Sequence, residues 1–276
     1  MFEKKIIPLD SWVSTGVDWL VENWRDFFQA IKWPVEQTMN AFETGLNTLH
    51  PLLVIAMIMA AAWKFGSKGL ALFSAMALVL IGLLGLWEDS MITLAMVMAS
   101  VVFCAIVGIP LGVCAGRSDR FESAMRPVLD AMQTTPAFVY LVPIVMLFSV
   151  GNVAGVLATI IFALPPLIRL TSLGIRQVHP ELVEAAQAFG ATNWQVLVKV
   201  QVPLALPSIM AGLNQTIMMS LSMVVIAALI GAGGLGAPVT FGLNTLDIGQ
   251  AVTGGLGIVL MAIILDRITQ AMAHKS

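Results

Sequence analysis

The chain has 276 residues, of which 58% are hydrophobic and 11% are charged, and its formal net charge is −2. Soluble domains carry about 25% charged residues. The composition, with a mean hydropathy of +0.91, therefore excludes an ordinary soluble protein and predicts an all-α polytopic membrane protein. The small net charge says little about topology, because membrane orientation follows the positions of Lys and Arg.

The N-terminal residues predict a helix that lies on the membrane rather than across it. Residues 1–12 lack the apolar core of a signal peptide, so we expect the chain to be inserted whole. Apolar residues recur at helical spacing over 11–33, and Pro34 is expected to end the run. This segment holds four of the chain's seven tryptophans, which favour the membrane–water boundary. We interpret residues 1–47 as an extracytoplasmic amphipathic tail. The alternative is a soluble helix that covers a partner.

Seven apolar segments are candidates for membrane-spanning helices, which need roughly 20 residues each. They run over 48–63, 70–87, 91–115, 135–150, 152–175, 209–231 and 251–272. The first and the fourth are short. We predict about seven transmembrane helices, of which two form an N-terminal pair over 48–87.

Positive charge follows every second span, which predicts the orientation. The basic positions are Lys64, Lys68, Arg117, Arg120, Arg126, Arg176, Lys199, Arg267 and Lys275. The alternate loops, 87–90, 149–152 and 231–250, contain no Lys or Arg. We expect the N-terminus outside, the C-terminus in the cytoplasm, and a cytoplasmic position for the polar stretch between the fifth and sixth spans.

Metal, disulfide and ion-coupled chemistry are not indicated. Cys104 and Cys114 share one apolar segment, where small packing residues are commoner than bonded pairs. Arg169 and Asp266 lie towards cytoplasmic ends, which leaves the middle of the spans without charge and disfavours a proton- or sodium-coupled carrier. The histidines form no ligand set; they are His50, His179 and His274.

The polar stretch VEAAQAFGATNWQVLVKVQVPLALP, residues 183–207, predicts two short helices at an angle. Pro180 suits a first helical position, and Gly190 permits a sharp turn. Thr192 and Gln195 have the spacing of a capping box, so a second helix should begin there. The first helix should carry an apolar face of Leu182, Ala185, Ala186 and Phe189, opposite Glu181, Glu184 and Gln187.

The second helix is expected to expose Trp194 and Leu197 and to end before Pro203. Small residues and an aromatic ring would then face outward, which suits a groove on another protein. The alternative is a reinforced cytoplasmic loop without a docking role.

The spacing of this stretch resembles the EAA loop of ABC importer permeases: Glu-Ala-Ala, three residues, Gly, nine residues, then aliphatic-x-aliphatic-Pro. Here it reads Glu184-Ala185-Ala186, Gly190 and Val200-Gln201-Val202-Pro203. Segments 132–171, 199–236 and 255–272 are similar to permeases that import glycine betaine and proline as osmoprotectants. The resemblance covers about residues 90–272.

The resemblance implies a type I ABC importer permease fold in the bacterial cytoplasmic membrane, acting as a homodimer. Two cytoplasmic ATPase subunits would dock on a coupling loop over about 176–208, and an extracytoplasmic binding protein would deliver substrate. The implied coupling residues are Glu184, Ala185, Ala186, Gly190, Trp194 and Pro203. The chain has no GxxxxGK[ST] motif, so we expect a non-enzymatic subunit whose partner ATPase binds ATP and Mg²⁺. No nucleic-acid partner is expected.

Polar and aromatic side chains in two spans are candidates for the substrate path. They are Thr134, Thr135, Phe138 and Tyr140 in span four, and Gln215, Met218 and Ser222 on one face of span six. A short, Pro-interrupted span suits a lining helix, and aromatic faces hold a quaternary ammonium well. The alternative is that the polar groups only bond helix to helix.

The glycines of the loop after span six allow three interpretations: a flexible gate, a docking surface, or a turn that needs close backbone approach. They are Gly231, Gly233, Gly234 and Gly236.

With the resemblance, these features predict the permease of an ATP-driven importer of glycine betaine, proline, choline or a similar compatible solute. One alternative is a permease of the same fold for another small solute, such as an amino acid or an organic anion. The others are an ATP-independent carrier or channel and a non-transporting membrane scaffold.

Overall fold

A computed structural model describes residues 9–273, which are almost entirely helical and contain no strand. Residues 1–8 and 274–276 lie outside this range, as do the expectations that rest on His274 and Lys275. The helices are α1 (Leu9–Asn23), α2 (Arg25–Thr48), α3 (Pro51–Phe65), α4 (Lys68–Leu83), α5 (Trp87–Arg117), α6 (Asp119–Thr134), α7 (Leu141–Phe148), α8 (Asn152–Arg176), α9 (Pro180–Ala188), α10 (Asn193–Val196), α11 (Val202–Ala227), α12 (Gly236–Thr245) and α13 (Ile248–Ala273). Short 3-10 turns cover Ala137–Tyr140 and Ala228–Ile230, and a π-helical turn covers Leu197–Gln201.

Four helical units of the described residues are long and apolar enough to cross a membrane: α5, α8, Asn193–Ile230 and α13. Two bent pairs raise the number to as many as six: α2 meets α3 at 109°, and α6 meets Ala137–Phe148 at 102°. The predicted count of seven is therefore not confirmed. The predicted fourth span is only one arm of a bend, because the residue before Pro136 is extended and the helix breaks there.

Three helices form the centre of the bundle, with α8 between α5 and α11. In lipid no hydrophobic force drives helices together, so close association depends on small residues that let backbones approach. Gly108, Gly112 and Gly116 recur at every fourth position of α5 and face α8. A Cβ atom at Gly112 would lie 2.5 Å from Cβ of Thr171 and 2.8 Å from the carbonyl oxygen of Ile168. This contact has no room for a side chain.

The N-terminal tail is a pair of helices, and the expectation that Pro34 ends its helical run is wrong. A proline inside a helix costs roughly 3 kcal/mol. Here α2 continues past it, and Val35 and Met39, just beyond the proline, are buried in the main core. Phe28 also packs edge-to-face on Phe148, with ring centroids 5.6 Å apart. The tail tryptophans remain exposed: Trp12, Trp19, Trp24 and Trp33.

One end of the bundle, here called the acidic end, gathers the turns that lack Lys and Arg. They cover residues 84–93, 149–152 and 230–250. The backbone N–H of Gly151 donates to the carbonyl oxygen of Ile230 at 3.2 Å. The N–H of Gly233 donates to Oδ1 of Asn152 at 2.7 Å. These bonds tie the turn before α8 to the turn after α11.

The glycine-rich turn is a point of close backbone approach, the third of its three interpretations. Gly234 has a φ of +84°, and a Cβ atom there would lie 2.5 Å from Oγ1 of Thr93. The same hydroxyl accepts a hydrogen bond from the N–H of Leu235 at 2.8 Å. The rest of the predicted loop is not irregular, since α12 occupies it and packs on α13.

Replacing Gly112 by Ala is expected to loosen the contact between α5 and α8. The added methyl group must push aside the backbone of α8, and overpacking of this kind costs about 1–3 kcal/mol. The melting temperature of the purified permease complex should fall by several degrees. The control is Gly255→Ala in α13, where a Cβ atom meets nothing within 4 Å. Equal stability of the two variants would show that the close contact is unimportant.

Candidate functional site

The first coupling helix ends in a left-handed turn that its sequence predicts. Pro180 occupies the first turn of α9, as expected. Gly190 has a φ of +84°, and its N–H donates to the carbonyl oxygen of Gln187 at 2.8 Å. The N–H of Ala191 bonds the carbonyl oxygen of Ala186 at 3.0 Å. The predicted change of direction at Gly190 is therefore present, and no neighbouring atom crowds the position.

The second coupling helix begins at the predicted capping box. The N–H of Gln195 donates to Oγ1 of Thr192 at 3.3 Å, and the N–H of Thr192 donates to Oε1 of Gln195 at 2.8 Å. These reciprocal bonds satisfy two N–H groups that a helix start otherwise leaves unpaired.

The expectation that this helix ends before Pro203 is wrong, because α10, the π-helical turn and α11 form one continuous helical unit, Asn193–Ile230. A proline cannot donate a backbone hydrogen bond, and its ring crowds the preceding turn. The wider π-helical turn lies just before Pro203, and the N–H of Val202 bonds the carbonyl oxygen of Leu197, five residues back. The helix thus passes the proline, and span six begins before the predicted residue 209.

The exposed side chains of the coupling loop are largely those expected on its outer surface. Phe189 is 93% exposed and Trp194 is 68% exposed. Leu197 was predicted to be exposed but is 4% exposed, because it packs in a second core cluster with Ile209. Glu184 is also exposed, along a cleft that α9 forms with the bundle. Of the remaining predicted coupling residues, Ala185 and Pro203 are exposed and Ala186 is partly buried.

Arginines of α8 form ion pairs at the end of the bundle that carries the predicted coupling loop. Arg176 pairs with Asp119 at 2.6 Å and with Glu122 at 2.9 Å. Its guanidinium also donates to the carbonyl oxygen of Ala115 at 2.8 Å, at the end of α5. Arg169 forms a second ion pair with Asp130. Exposed pairs stabilise by about 0–1 kcal/mol each, but together they fix the orientation of α6 on α8.

The predicted path residues lie in three elements: the end of α6 with Thr134 and Thr135, the 3-10 turn, and α11. The turn that carries Phe138 and Tyr140 packs beside α11. On α11, the exposed side chains at Gln215, Met218 and Ser222 follow one face, as their spacing predicts. The structure therefore places the turn with Phe138 and Tyr140 next to the helix that carries the second predicted set.

The hydrogen bonds of these residues are mostly local. The hydroxyls of Thr134 and Thr135 donate to carbonyl oxygens of their own helix, at 2.9 and 2.7 Å. The hydroxyl of Ser222 does the same at 3.2 Å. The Tyr140 hydroxyl donates to the carbonyl oxygen of Met132 at 2.6 Å, across the bend after α6. Within the described residues, the Gln215 side chain has no hydrogen-bond partner.

Other polar groups of span six do bond helix to helix. The hydroxyl of Thr216 donates to the carbonyl oxygen of Ala163 in α8 at 3.0 Å. Asp266 of α13 accepts hydrogen bonds from Asn214 at 3.1 Å and from Gln270 at 2.7 Å. This α11–α13 cluster was not predicted, although an Asn and an Asp within two apolar spans are a signal of such bonding.

The cysteines have different surroundings. Cys104 is buried, and its thiol donates to the carbonyl oxygen of Ile160 at 3.7 Å. Cys114 is exposed on an apolar groove of about 700 Å³ between α5 and α10, which Trp194 also lines. Both thiols are free, and residues 9–273 contain no group of His, Cys, Asp and Glu side chains placed to hold a metal ion.

Known proteins with similar sequences are membrane transport subunits. The chain is 52% identical over 275 residues to the glycine betaine/proline betaine transport system permease protein ProW of Escherichia coli (strain K12), covering 100% of this chain and 78% of that one. It is 45% identical over 269 residues to the glycine betaine transport system permease protein OpuAB of Bacillus subtilis, covering 98% and 95%. It is 46% identical over 274 residues to the glycine betaine/carnitine transport permease protein GbuB of Listeria monocytogenes, covering 98% and 97%.

The fold resembles solved permease structures. Two crystal forms of the MetNI methionine ABC transporter, in inward-facing conformations, align with TM-scores of 0.56 and 0.60 at 25% and 22% sequence identity. The alignments cover 65% and 66% of this chain and 92% of the matched chain in each case. The family described as "Binding-protein-dependent transport system inner membrane component" matches residues 108–275. The chain belongs to this family of ABC importer permeases.

Proposed function

We propose that this chain forms the membrane path of an ATP-driven importer of glycine betaine, proline, choline or a similar compatible solute. The observation that carries the proposal is the identity of 45–52% over nearly the whole chain to permeases named for glycine betaine transport. The coupling loop supports it, because an exposed polar element at one end of an apolar bundle gives an ATPase a surface to contact.

The proposed assembly is a homodimer in the bacterial inner membrane, with two ATPase subunits at its basic end. The basic end carries Arg117, Arg120, Arg126, Arg176 and Lys199, and the positive-inside tendency assigns it to the cytoplasm. The N-terminal tail, 1–47, and the acidic end would then lie outside, where a substrate-binding protein docks. ATP and Mg²⁺ would be bound by the ATPase. Residues 48–87 would flank a transport core over 90–272.

Reconstitution tests this function. The purified chain is placed in vesicles with its ATPase and binding protein, and ATP-dependent uptake of labelled glycine betaine, proline and choline is measured. Uptake of at least one solute, lost when the ATPase is omitted, is expected. Uptake without the ATPase would contradict an ABC importer and favour a carrier or channel. ATP-dependent uptake of an amino acid alone would replace the proposed substrate class.

In the proposed coupling step, the ATPase subunits hold the exposed loop between α9 and α10. Phe189 and Trp194 offer apolar anchors, and a groove that receives them would bury surface that water now covers. The helix that begins at the capping box continues into span six, so a displacement of α10 would be carried to α11 without an intervening flexible loop. Closure of the ATPase dimer would thereby move the path-lining face of α11.

Gly190→Val is expected to uncouple the ATPase while the permease remains in the membrane. A β-branched residue is strained at a positive φ, so the angle between the two short helices should change. Stimulation of ATP hydrolysis by substrate-loaded binding protein should fall severalfold. The matched control is Gly85→Val, which has a φ of +74° and equally open surroundings but lies at the acidic end. A similar loss in both variants would show a general effect of backbone strain.

We further propose that the exposed face of α11 and the neighbouring 3-10 turn line the substrate path. Gln215, Met218 and Ser222 supply a polar strip with a polarisable centre, and the rings of Phe138 and Tyr140 supply faces for a quaternary ammonium. A second copy of the chain would close the open side.

Two substitutions of Tyr140 distinguish a role in lining the substrate path from a role in holding the bend after α6. The ring would contact substrate, whereas the hydroxyl bonds Met132 across the bend. Tyr140→Ala should reduce the maximal uptake rate several-fold, and Tyr140→Phe should retain most of it. If Tyr140→Phe is as defective as Tyr140→Ala, the hydroxyl's bond at the bend is the requirement and the lining proposal fails. Unchanged uptake in both variants would also contradict it.

A further inference from the structure

The acidic end contains an open cleft of about 460 Å³ that the coupling loop and the path residues do not use. The first turn of α5 forms one wall, and α12 with the start of α13 forms the other. The side chains that matter below are Asp89, Phe241, Asn244 and Gln250. The walls are fixed to each other by the hydrogen bond from Leu235 to Thr93 and by the close approach at Gly234.

The charge in the cleft is uncompensated. Asp89 is half-buried and makes no ion pair with any described residue, and the surrounding stretches 84–93 and 230–250 contain no Lys or Arg. Of the other nearby carboxylates, Asp247 already accepts a hydrogen bond from the N–H of Gln250 at 3.1 Å and caps the start of α13, and Glu88 does not line the cleft. Asp89 is therefore the free anionic group of this cleft.

The remaining groups complement a charged, methylated molecule. Phe241 is 56% exposed, so its ring is available to a cation. Within the described residues, neither the Asn244 amide nor the Gln250 side-chain amide has a hydrogen-bond partner, and both can donate to a carboxylate. A quaternary ammonium has no N–H group to donate, so a carboxylate and an aromatic face are enough to hold it.

We propose that this cleft is an entry site for small zwitterions with a quaternary ammonium, with Asp89 and Phe241 holding the cationic head and Asn244 and Gln250 the carboxylate. The inference rests on the proposed function, because it gives the same solute a first contact on the permease after release from the binding protein. Binding is weak, since the cleft is open to water and its charge is partly screened.

The test measures direct binding without the binding protein. The permease–ATPase complex in nanodiscs is titrated with glycine betaine, and saturation transfer from protein to the N-methyl protons is followed by NMR. The glycine betaine concentration at half-saturation should rise roughly three- to tenfold in Asp89→Asn and roughly two- to fivefold in Phe241→Leu. The isostere 3,3-dimethylbutyrate, which carries carbon in place of the charged nitrogen, is an anion that Asp89 repels, so Asp89→Asn should not weaken its binding.

The matched control is Glu88→Gln, which removes the same charge from the same helical turn but does not line the cleft. The glycine betaine concentration at half-saturation should change far less in this variant than in Asp89→Asn, although Glu88 and Asp89 interact electrostatically. Equal losses in the Glu88 and Asp89 variants would overturn the proposal, as would no transfer in the unsubstituted complex. The proposal would also be overturned if Asp89→Asn bound the binding protein less tightly while saturation transfer to glycine betaine stayed unchanged. The cleft would then be a contact for the binding protein.

Uptake by the unsubstituted transporter separates this proposal from the proposed function. If vesicles take up glycine betaine and Asp89→Asn leaves NMR binding unchanged, only the entry site is wrong. If vesicles take up none of the three solutes, the proposed function fails. In that case, binding that depends on Asp89 would still establish a quaternary-ammonium site.

Discussion

The backbone contact between α5 and α8 determines where the other elements of this protein lie. Lipid offers no hydrophobic gain for bringing two apolar helices together, so their association depends on close packing and on polar bonds. The glycine row of α5, with Gly112 at its centre, lets the two backbones touch. α8 then receives α11 on its other side, where the hydroxyl of Thr216 bonds the backbone of α8. The glycine contact and the Thr216 hydrogen bond thus fix the positions of α5 and α11 on α8.

This rigid centre connects two ends of opposite character. At the basic end, ion pairs from Arg176 and Arg169 hold α6 against α8 beside the coupling loop. At the acidic end, bonds between turns hold α12 over the start of α5. α11 reaches from one end to the other as part of one helical unit. A force applied to the loop therefore acts on the same helix that carries the proposed path residues and leads to the turn before α12.

Much of this arrangement follows from the sequence. Composition predicts the membrane class, alternation of Lys and Arg separates the two ends, and the spacing around Gly190 and Thr192 predicts two helices and their turn. Family membership also follows, because the spacing of the coupling loop is specific over 20 residues or so. These signals depend on composition or on residues close together in the chain, so a single sequence is enough to detect them.

The errors arise where tertiary packing overrides a local rule. Pro34 and Pro203 both predict helix ends. α2 nevertheless continues past Pro34, where Val35 and Met39 are buried, and the helical unit that contains α11 passes Pro203 through a π-helical turn. That turn also rotates Leu197 into the core, against the predicted face. The count of seven spans is not confirmed, because the chain bends at Pro136, where the preceding residue is extended. The glycine row of α5 could have predicted the contact with α8, since small residues four apart mark helix contacts in membranes.

The central claim is that the coupling helix and α11 move as one body. Pulsed EPR can measure it in a chain with Cys104 and Cys114 replaced by Ala, spin-labelled in pairs and diluted with unlabelled chain. Trp194 and Leu229 mark the two ends of the helical unit, and Leu72 on α4 is a reference point that does not belong to that unit; all three are exposed. When ATP is trapped, the 194–229 distance should change by less than about 2 Å while the 194–72 distance shifts by more. A 194–229 change as large as the 194–72 change would show that the helix bends at the π-helical turn and contradict the account.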